Sequence, residues 1–288
     1  MTDRPVPKKR PLHRAHVVRT EWLSPRMVRV VLGGEGLDAF GAGAYTDHYV
    51  KLLFPLEGVA YPEPFDIDAV RAGMPRDQWP RTRTYTVRSF DRTARELAID
   101  FVVHGDEGLA GPWAARAEPG AELLFQGPGG AYAPDPAADR HLLVGDESAL
   151  PAIAAALERL SAEAPDAVVH AFVEVADAGE EQKLDLAPGI EVVWLHRGTA
   201  PVGEKLVAAV RALGLPAGCD VHAFVHGEAG FVKELRRHLR LDRGIPRERL
   251  SVSGYWRRGH DEDGWQASKR EWNRRIEAEQ EGAAAEAG

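Results

Sequence analysis

Arg83-Thr84-Tyr85-Thr86-Val87-Arg88 alternates bulky and β-branched residues and so reads as a β-strand. Successive side chains of a strand point to opposite faces, which puts Arg83 and Tyr85 on one side and Thr84, Thr86 and Arg88 on the other. An arginine fork beside a tyrosine ring can hold a phosphate while presenting a flat surface to a planar heterocycle. A threonine hydroxyl adds a short group that reaches a ring nitrogen. The plain alternative is a solvent-facing strand that carries two arginines. The flanking chain decides between them.

From His16 to about Phe125 the same short-strand pattern repeats, at His16–Glu21, Met27–Leu32, Tyr49–Phe54, Arg83–Val87, Leu97–Val103 and Glu122–Phe125. Six short strands with no strong helical stretch between them predict a small antiparallel β-barrel. The connection Pro55–Pro80 is long and proline-studded, which suits either a cover over a site or a variable insertion. After the fifth strand comes His104-Gly105-Asp106-Glu107-Gly108-Leu109-Ala110-Gly111-Pro112-Trp113. Its glycines let backbone approach a ligand, and Pro112 suits the first turn of a short helix whose free N–H groups favour an anion. A plain glycine-rich turn is the alternative at that point.

Gly127-Pro128-Gly129-Gly130 and Pro134-Asp135-Pro136 break the pattern, and the composition changes there. Beyond them strands and helices alternate: strands at His141–Val144, Ala167–Val175, Glu191–Leu195, Val221–His226 and Leu250–Gly254, helices at Ala149–Ser161, Glu204–Leu213 and Phe231–Leu239. Alternation of this kind predicts a parallel α/β sheet. Polar groups cluster just past strand carboxyl ends, at Gly145-Asp146-Glu147-Ser148, Glu174, His196-Arg197, Gly227-Glu228 and Gly254–Arg258. That edge is where ligands bind in open α/β sheets. No G-x-G-x-x-G follows the first strand, and Asp146 with Glu147 would repel a pyrophosphate there, so a nucleotide must lie differently from the standard arrangement. The final segment, Asp261 to Glu281, reads as one helix with Trp265, Lys269, Trp272 and Ile276 on a stripe. Lys269 on that stripe either snorkels to solvent or points into a polar cleft.

The expected units are a flexible basic arm over 1–14, a barrel over 15–137, an α/β unit over 138–259, and a C-terminal helix and tail over 260–288. The 288 residues suffice for two domains, and 44% hydrophobic with 28% charged residues is a globular composition. A net charge of −8 argues against nucleic acid as a partner, although residues 1–30 carry eight Lys or Arg against Asp3 and Glu21. No run of about 18 apolar residues exists to span a membrane. The first residues lack the apolar core of a secretory signal, so the expected location is the cytoplasm. The single Cys219 excludes an internal disulfide or an iron–sulfur cluster held by this chain's own thiolates. Redox chemistry here would need an organic cofactor.

Several segments together resemble one family, the siderophore-interacting proteins, FAD-dependent ferric-siderophore reductases of the ferredoxin–NADP reductase superfamily. Arg83–Arg88 matches their R-x-Y-T-x-R flavin motif. Asp100-Phe101-Val102-Val103-His104-Gly105 is similar to the segment that follows it. Gly145-Asp146-Glu147-Ser148-Ala149-Leu150-Pro151-Ala152 resembles the D-E-[TS]-A-L-P-A signature, and Gly254-Tyr255-Trp256-Arg257-Arg258-Gly259 the G-Y-W-[RK]-x-G close. The likeness runs roughly from Arg14 to Trp272.

The resemblance implies that Arg83, Tyr85 and Thr86 touch the flavin and its phosphates, with Val87, Asp100 and Val102 beside them. It implies that His104, Gly108, Ala110, Gly111 and Trp113 take the pyrophosphate and adenine side. Asp146, Glu147, Ser148, Gly227 and Glu228 complete the cofactor-binding set. The chain departs from the family at Gly111, where a phosphate-contacting serine is usual, and at Phe224-Val225-His226-Gly227-Glu228, where the family reads W-x-A-G-E. The implied cofactors are FAD and NADPH or NADH, with ferredoxin as a further possible donor and a ferric siderophore as substrate.

A flavin takes a hydride and returns single electrons, so no catalytic side chain and no protein metal ligand is called for. No H-E-x-x-H or G-x-S-x-G is present. A large anionic iron chelate needs positive charge near the flavin edge, and Lys51, Arg257, Arg258 and Lys269 are the candidates. Two other readings stay open: a flavin-dependent reductase with another acceptor, and a non-catalytic carrier of iron-loaded siderophore.

Overall fold

The computed structural model describes residues 10–216 and 218–286, with side chains described as far as residue 280. Six strands form a closed antiparallel barrel: β1 (Leu12–Ser24), β2 (Met27–Gly33), β3 (Tyr49–Phe54), β4 (Arg81–Asp91), β5 (Glu96–Val102) and β6 (Glu122–Gly129), in the order β1-β2-β5-β4-β3-β6. Alternate residues point inward and fill it, among them Val30, Leu32, Leu52, Ile99, Phe101 and Phe125, each fully enclosed. The predicted barrel is therefore present, and its third strand has the expected limits.

Three expectations change. β1 begins at Leu12, and His13 is buried against Phe125 with ring centroids 5.3 Å apart, so residues 12–14 of the expected arm are strand. Residues 1–9 of that arm lie outside the described residues. Gly127-Pro128-Gly129, read as a break, is the end of β6. The stretch between β3 and β4, expected to be a cover or a variable insertion, is an ordered segment packed on the barrel. It carries helix α1 (Ile67–Gly73), capped by Asp66, whose carboxylate accepts the Asp68 N–H at 2.8 Å. Phe65, Ile67 and Val70 pack on Leu53 and Leu124, outside the barrel wall. Burying side chains of this size is worth roughly 1.5–3 kcal/mol each, enough to hold the segment down. A second short helix, α2 (Ala110–Ala115), follows β5.

The second half is a parallel sheet of β7 (Arg140–Asp146), β8 (Val168–Val175), β9 (Val192–His196), β10 (Val221–Glu228) and β11 (Leu250–Trp256), in the order β11-β10-β7-β8-β9. Helix α3 (Leu150–Glu163) covers one face. Helices α4 (Glu204–Ala212) and α5 (Ala229–Arg237) cover the other. The chain reverses direction across the sheet between β7 and β10, and the carboxyl ends of those strands are the usual ligand crevice of such folds. Helix α6 (Glu262–Glu286) closes the chain. None of the described helices is long and apolar enough to cross a membrane.

Barrel and sheet are joined through α3. Arg88 on β4 forks onto Glu158 of α3, with Nη1 at 2.8 Å from Oε2. Arg159 of α3 donates to the Ala44 carbonyl. Met27 and Tyr132, from the barrel and the linker, share an apolar cluster with Leu143, Ile153 and Leu157. The outer face of β4 is thereby pressed against the α/β unit.

Candidate functional site

Strand β4 places Tyr85 at the head of an aromatic row. The Tyr85 ring lies 4.4 Å from Phe101, Phe101 lies 5.8 Å from Trp113, and Trp113 lies 5.8 Å from Phe54. Burial pushes the Tyr85 phenol upward, so it stays neutral. Thr86 is buried and is the side-chain partner of the Tyr255 phenol on β11. Val87 sits in the barrel core, and its backbone N–H donates to the His48 carbonyl at 2.7 Å.

Arg83 is the residue whose setting differs most from its sequence reading. Its guanidinium forks onto Asp263 of α6 at 3.2 and 3.4 Å, and Nε stands 3.6 Å from Glu262. The neighbouring Thr84 N–H donates to Glu262 Oε1 at 2.8 Å. The fork expected to hold a phosphate is thus already paired with the start of the C-terminal helix. Asp100, expected beside a cofactor, is buried and spends both oxygens on Arg29 at 2.6 and 2.8 Å. It ties β5 to β2, which is a structural task.

The turn after β5 opens as expected. Gly108 has φ 83°, and a Cβ there would meet nothing within 4 Å. Helix α2 has no side-chain cap at Leu109 and is only six residues long, so its dipole is weak. Gly111 is a packing residue. A Cβ at that position would stand 2.9 Å from the Val102 carbonyl oxygen, so α2 lies against β5 more closely than a serine would allow. Ala110 is buried, and Trp113 lines a groove of about 580 Å³ with Leu53, Phe54, Pro55, Leu109 and Arg116. A narrow crevice of about 10 Å³, room for about one water, brings Val102 and His104 of the barrel to Glu147 of the α/β unit.

At the sheet's reversal point the polar residues serve one another. Asp146 is fully buried; its carboxylate accepts the Ser148 N–H at 3.0 Å, the Ser148 hydroxyl at 2.5 Å, the Glu228 N–H at 2.8 Å and the Trp256 indole N–H at 2.8 Å. Burial, with the Glu147 charge, pushes its carboxyl up to about 6. Gly227 has φ 137°, and a Cβ there would stand 2.7 Å from Asp146 Cγ. Glu228 caps α5, accepting the Gly230 N–H at 2.6 Å, and also holds the Arg258 N–H at 3.2 Å. Asp146, Ser148, Gly227 and Glu228, expected to bind cofactor, have their groups engaged within the protein. Glu147 pairs with Arg197 at 2.6 Å, and Arg197 reaches the buried Glu174 at 3.2 Å. These last two were legible only as polar residues past strand ends.

The residues that depart from the family pattern lie beneath Tyr255. His226 stacks on Phe224 with centroids 3.7 Å apart and meets the edge of Tyr255 at 5.0 Å. Burial drives its ring down to about 3, so it is neutral, and Nε2 stands 2.9 Å from Ser251 Oγ.

Of the four expected basic residues, Lys51 and Lys269 are both partly buried. Lys269 points inward, with Nζ 3.2 Å from Ser253 Oγ, rather than snorkelling away. Burial lowers the Lys51 and Lys269 ammonium groups, and the Lys51 charge lowers Lys269 further. Arg257 is half-buried and Arg258 exposed, both on the turn leading to α6. Tyr255, Glu262 and Asp263 complete the junction and were not expected in it. The first turn of a helix is acidic for reasons of dipole alone, so the acidic pair carried no separate signal in the sequence.

Barrel and parallel sheet match known families over most of the chain. Residues 16–132 match the siderophore-interacting FAD-binding domain, and residues 138–259 match the siderophore-interacting protein model. The chain belongs to the siderophore-interacting protein family. Among family relatives, ferric vibriobactin reductase ViuB of Vibrio cholerae is 34% identical over 252 residues, covering 86% of this chain and 90% of that one. The NADPH-dependent ferric-chelate reductase of Escherichia coli is 34% identical over 240 residues, covering 83% and 91%. A siderophore utilization protein from T. fusca superposes with a TM-score of 0.74 at 41% identity, covering 87% and 94%.

Proposed function

We propose that this protein is an FAD-dependent ferric-siderophore reductase that takes electrons from NADPH or NADH. The observation that carries the reading is a single junction. Strand β4, with Arg83, Tyr85 and Thr86, meets Tyr255 of the α/β unit on one side and the start of α6 on the other, whose Lys269 is held at Ser253. The names of the Vibrio cholerae and Escherichia coli relatives, both reductases of chelated ferric iron, support it. The functional units are the barrel, extended back to Leu12 and running to 137, and the α/β unit over 138–259, with α6 laid across their junction.

The residues suit FAD, a long molecule with aromatic ends and a doubly charged middle. The groove beside Trp113 and Phe54 has an aromatic wall, with Arg116 on its rim. Phe54 and Leu53 pair with Arg81 and Thr82 across the β3–β4 ladder, so Arg83 follows within one rung. The turn at Gly108 is open, with nothing within 4 Å of where a Cβ would stand. When bound, FAD supplies the exchange of a hydride for two single electrons. Arg83 then holds a phosphate, and the Tyr85–Phe101–Trp113 row keeps water from the ring system. Lys51 and Lys269 draw the anionic chelate in. Ferrous iron is held far more weakly than ferric iron by anionic oxygen chelators, so reduction releases the metal. We place this release in the cytoplasm.

Anaerobic titration of the FAD-loaded protein tests the reading. NADPH or NADH bleaches the flavin absorbance, a ferric tris-catecholate restores it, and a ferrous-specific chelator collects the iron. Reduced ferredoxin is the comparison donor. Absence of bleaching by all three donors, or of reoxidation by the ferric chelate, overturns the assignment.

A further inference from the structure

The linker between the two units is fastened at both ends. On the barrel side one carboxylate oxygen of Asp47 accepts the Ala131 and Tyr132 N–H groups, at 2.9 and 2.8 Å. The Tyr132 carbonyl accepts the Thr46 N–H at 2.8 Å. On the sheet side the buried Tyr132 ring lies 4.9 Å from both His222 and Phe224 of β10. Three residues on, the Asp135 N–H donates to His222 Nδ1 at 3.0 Å. One imidazole therefore meets the linker twice, by ring contact and through a ring nitrogen.

The second contact fixes the protonation state of His222. A nitrogen that accepts an N–H has a free lone pair, so the ring is neutral and carries its proton on Nε2. An imidazolium has N–H on both nitrogens and would turn a donor toward the Asp135 N–H. The charged groups around the ring are Asp135, Asp220 and Arg249, with both carboxylates on the arginine and Asp135 at 2.6 Å. The register partner of His222 on β7 is His141, fully enclosed, with ring centroids 6.4 Å apart and neither His141 nitrogen bonded. Burial, with the Arg249 charge, lowers the His222 ring, and burial lowers His141 to about 4. The contact through Nδ1 is therefore complete above the ordinary histidine value of 6.5 and is lost as pH falls through the lower folded value.

We propose that His222 is an acid-sensitive catch on the linker: neutral, it holds the Asp135 N–H and keeps the linker seated on β10; protonated, it releases that N–H and unseats residues 131–136. Tyr132 shares its apolar cluster with Met27 of the barrel and Leu143 of the sheet, so an unseated linker loosens the junction across which β4 meets the α/β unit. The catch acts at the joint between the units and does not depend on the reductase reading.

Hydrogen–deuterium exchange of the FAD-loaded full chain tests the catch. Protection is read on the peptide spanning residues 131–136, between neutral pH and about pH 4, after correction for the intrinsic pH dependence of exchange. His222→Asn is the informative variant, because Asn Oδ1 stands where His Nδ1 does along the side chain, accepts the same N–H and does not titrate. His141→Leu removes the neighbouring ring. A far-UV spectrum at each pH checks that the fold is retained. Wild type and His141→Leu are expected to lose about tenfold in protection on acidification, the worth of one hydrogen bond, and His222→Asn less than about twofold. No loss in wild type overturns the catch. An equal loss in His222→Asn also overturns it and assigns the release to Asp47 or Asp135, whose carboxylates remain in that variant. A loss that persists in His222→Asn and disappears in His141→Leu overturns it in favour of His141.

Discussion

The Trp256 indole N–H donates to Asp146 Oδ2 at 2.8 Å, which joins the last strand of the parallel sheet to its first. The bond closes the crevice in which doubly wound sheets ordinarily seat a ligand. Asp146 acts as a bolt across that edge of the sheet.

That role makes Asp146→Asn informative. Asp146 accepts four hydrogen bonds, two on each oxygen, and an amide nitrogen in place of one oxygen would face two donors. The variant is expected to lose about 2–4 kcal/mol of stability at neutral pH. Its pH dependence also changes. Burial raises the wild-type carboxyl from its ordinary 3.8 to about 6, so the folded state holds this proton more tightly than the unfolded chain. The contribution is complete below the unfolded value and is lost as pH rises through the folded one, a swing of about 3 kcal/mol. Chemical denaturation across that window should show the swing in wild type and not in Asp146→Asn.

Lys51→Ala combined with Lys269→Ala removes the paired ammonium groups. Ferric tris-catecholate binding is expected to weaken by more than about tenfold while flavin content is retained. An unchanged titration in the double variant would show that the chelate docks elsewhere.

Gly111→Ser restores the residue usual in the family, yet the close approach of α2 to the Val102 carbonyl leaves no room for its Cβ. The expected cost is about 1–3 kcal/mol, read as a lower melting temperature. A melting temperature equal to or above that of wild type would mean that α2 shifts freely.

Asp263→Asn frees the Arg83 fork. The pair is partly exposed, so the gain is small: FAD should bind about threefold more tightly at low salt, and the difference should shrink as salt is added. Fluorescence titration of the apoprotein with FAD measures it.

Local pattern carried much of the architecture. Tyr49–Phe54 alternates inward and outward residues, and it is β3 with those limits. Leu150, Ile153, Ala154 and Leu157 repeat at helical spacing and form the buried stripe of α3. Segments of this kind fold into the element their period prescribes, because the apolar face must be buried whatever it meets. The stretch between Pro55 and Pro80 had no such period. Its helix is held by Leu53 and Leu124, residues of two separate strands.

The candidate site was legible as a set of residue types and not as a set of partnerships. Arg83, Tyr85 and Thr86 could be read as a cofactor strand from their own chemistry, and Lys51 and Lys269 as cations on separate elements. Tertiary structure alone decided that Arg83 meets Asp263 across 180 residues of chain, and that Glu262 stands on the rung of Lys51. The reason is physical. Backbone periodicity is a property of neighbouring residues, whereas the state of a charge is set by which distant groups exclude water from it and which pair with it. The amino-acid sequence determined the barrel, the parallel sheet and the chemistry available to each; folding determined which of those charges remain for a ligand.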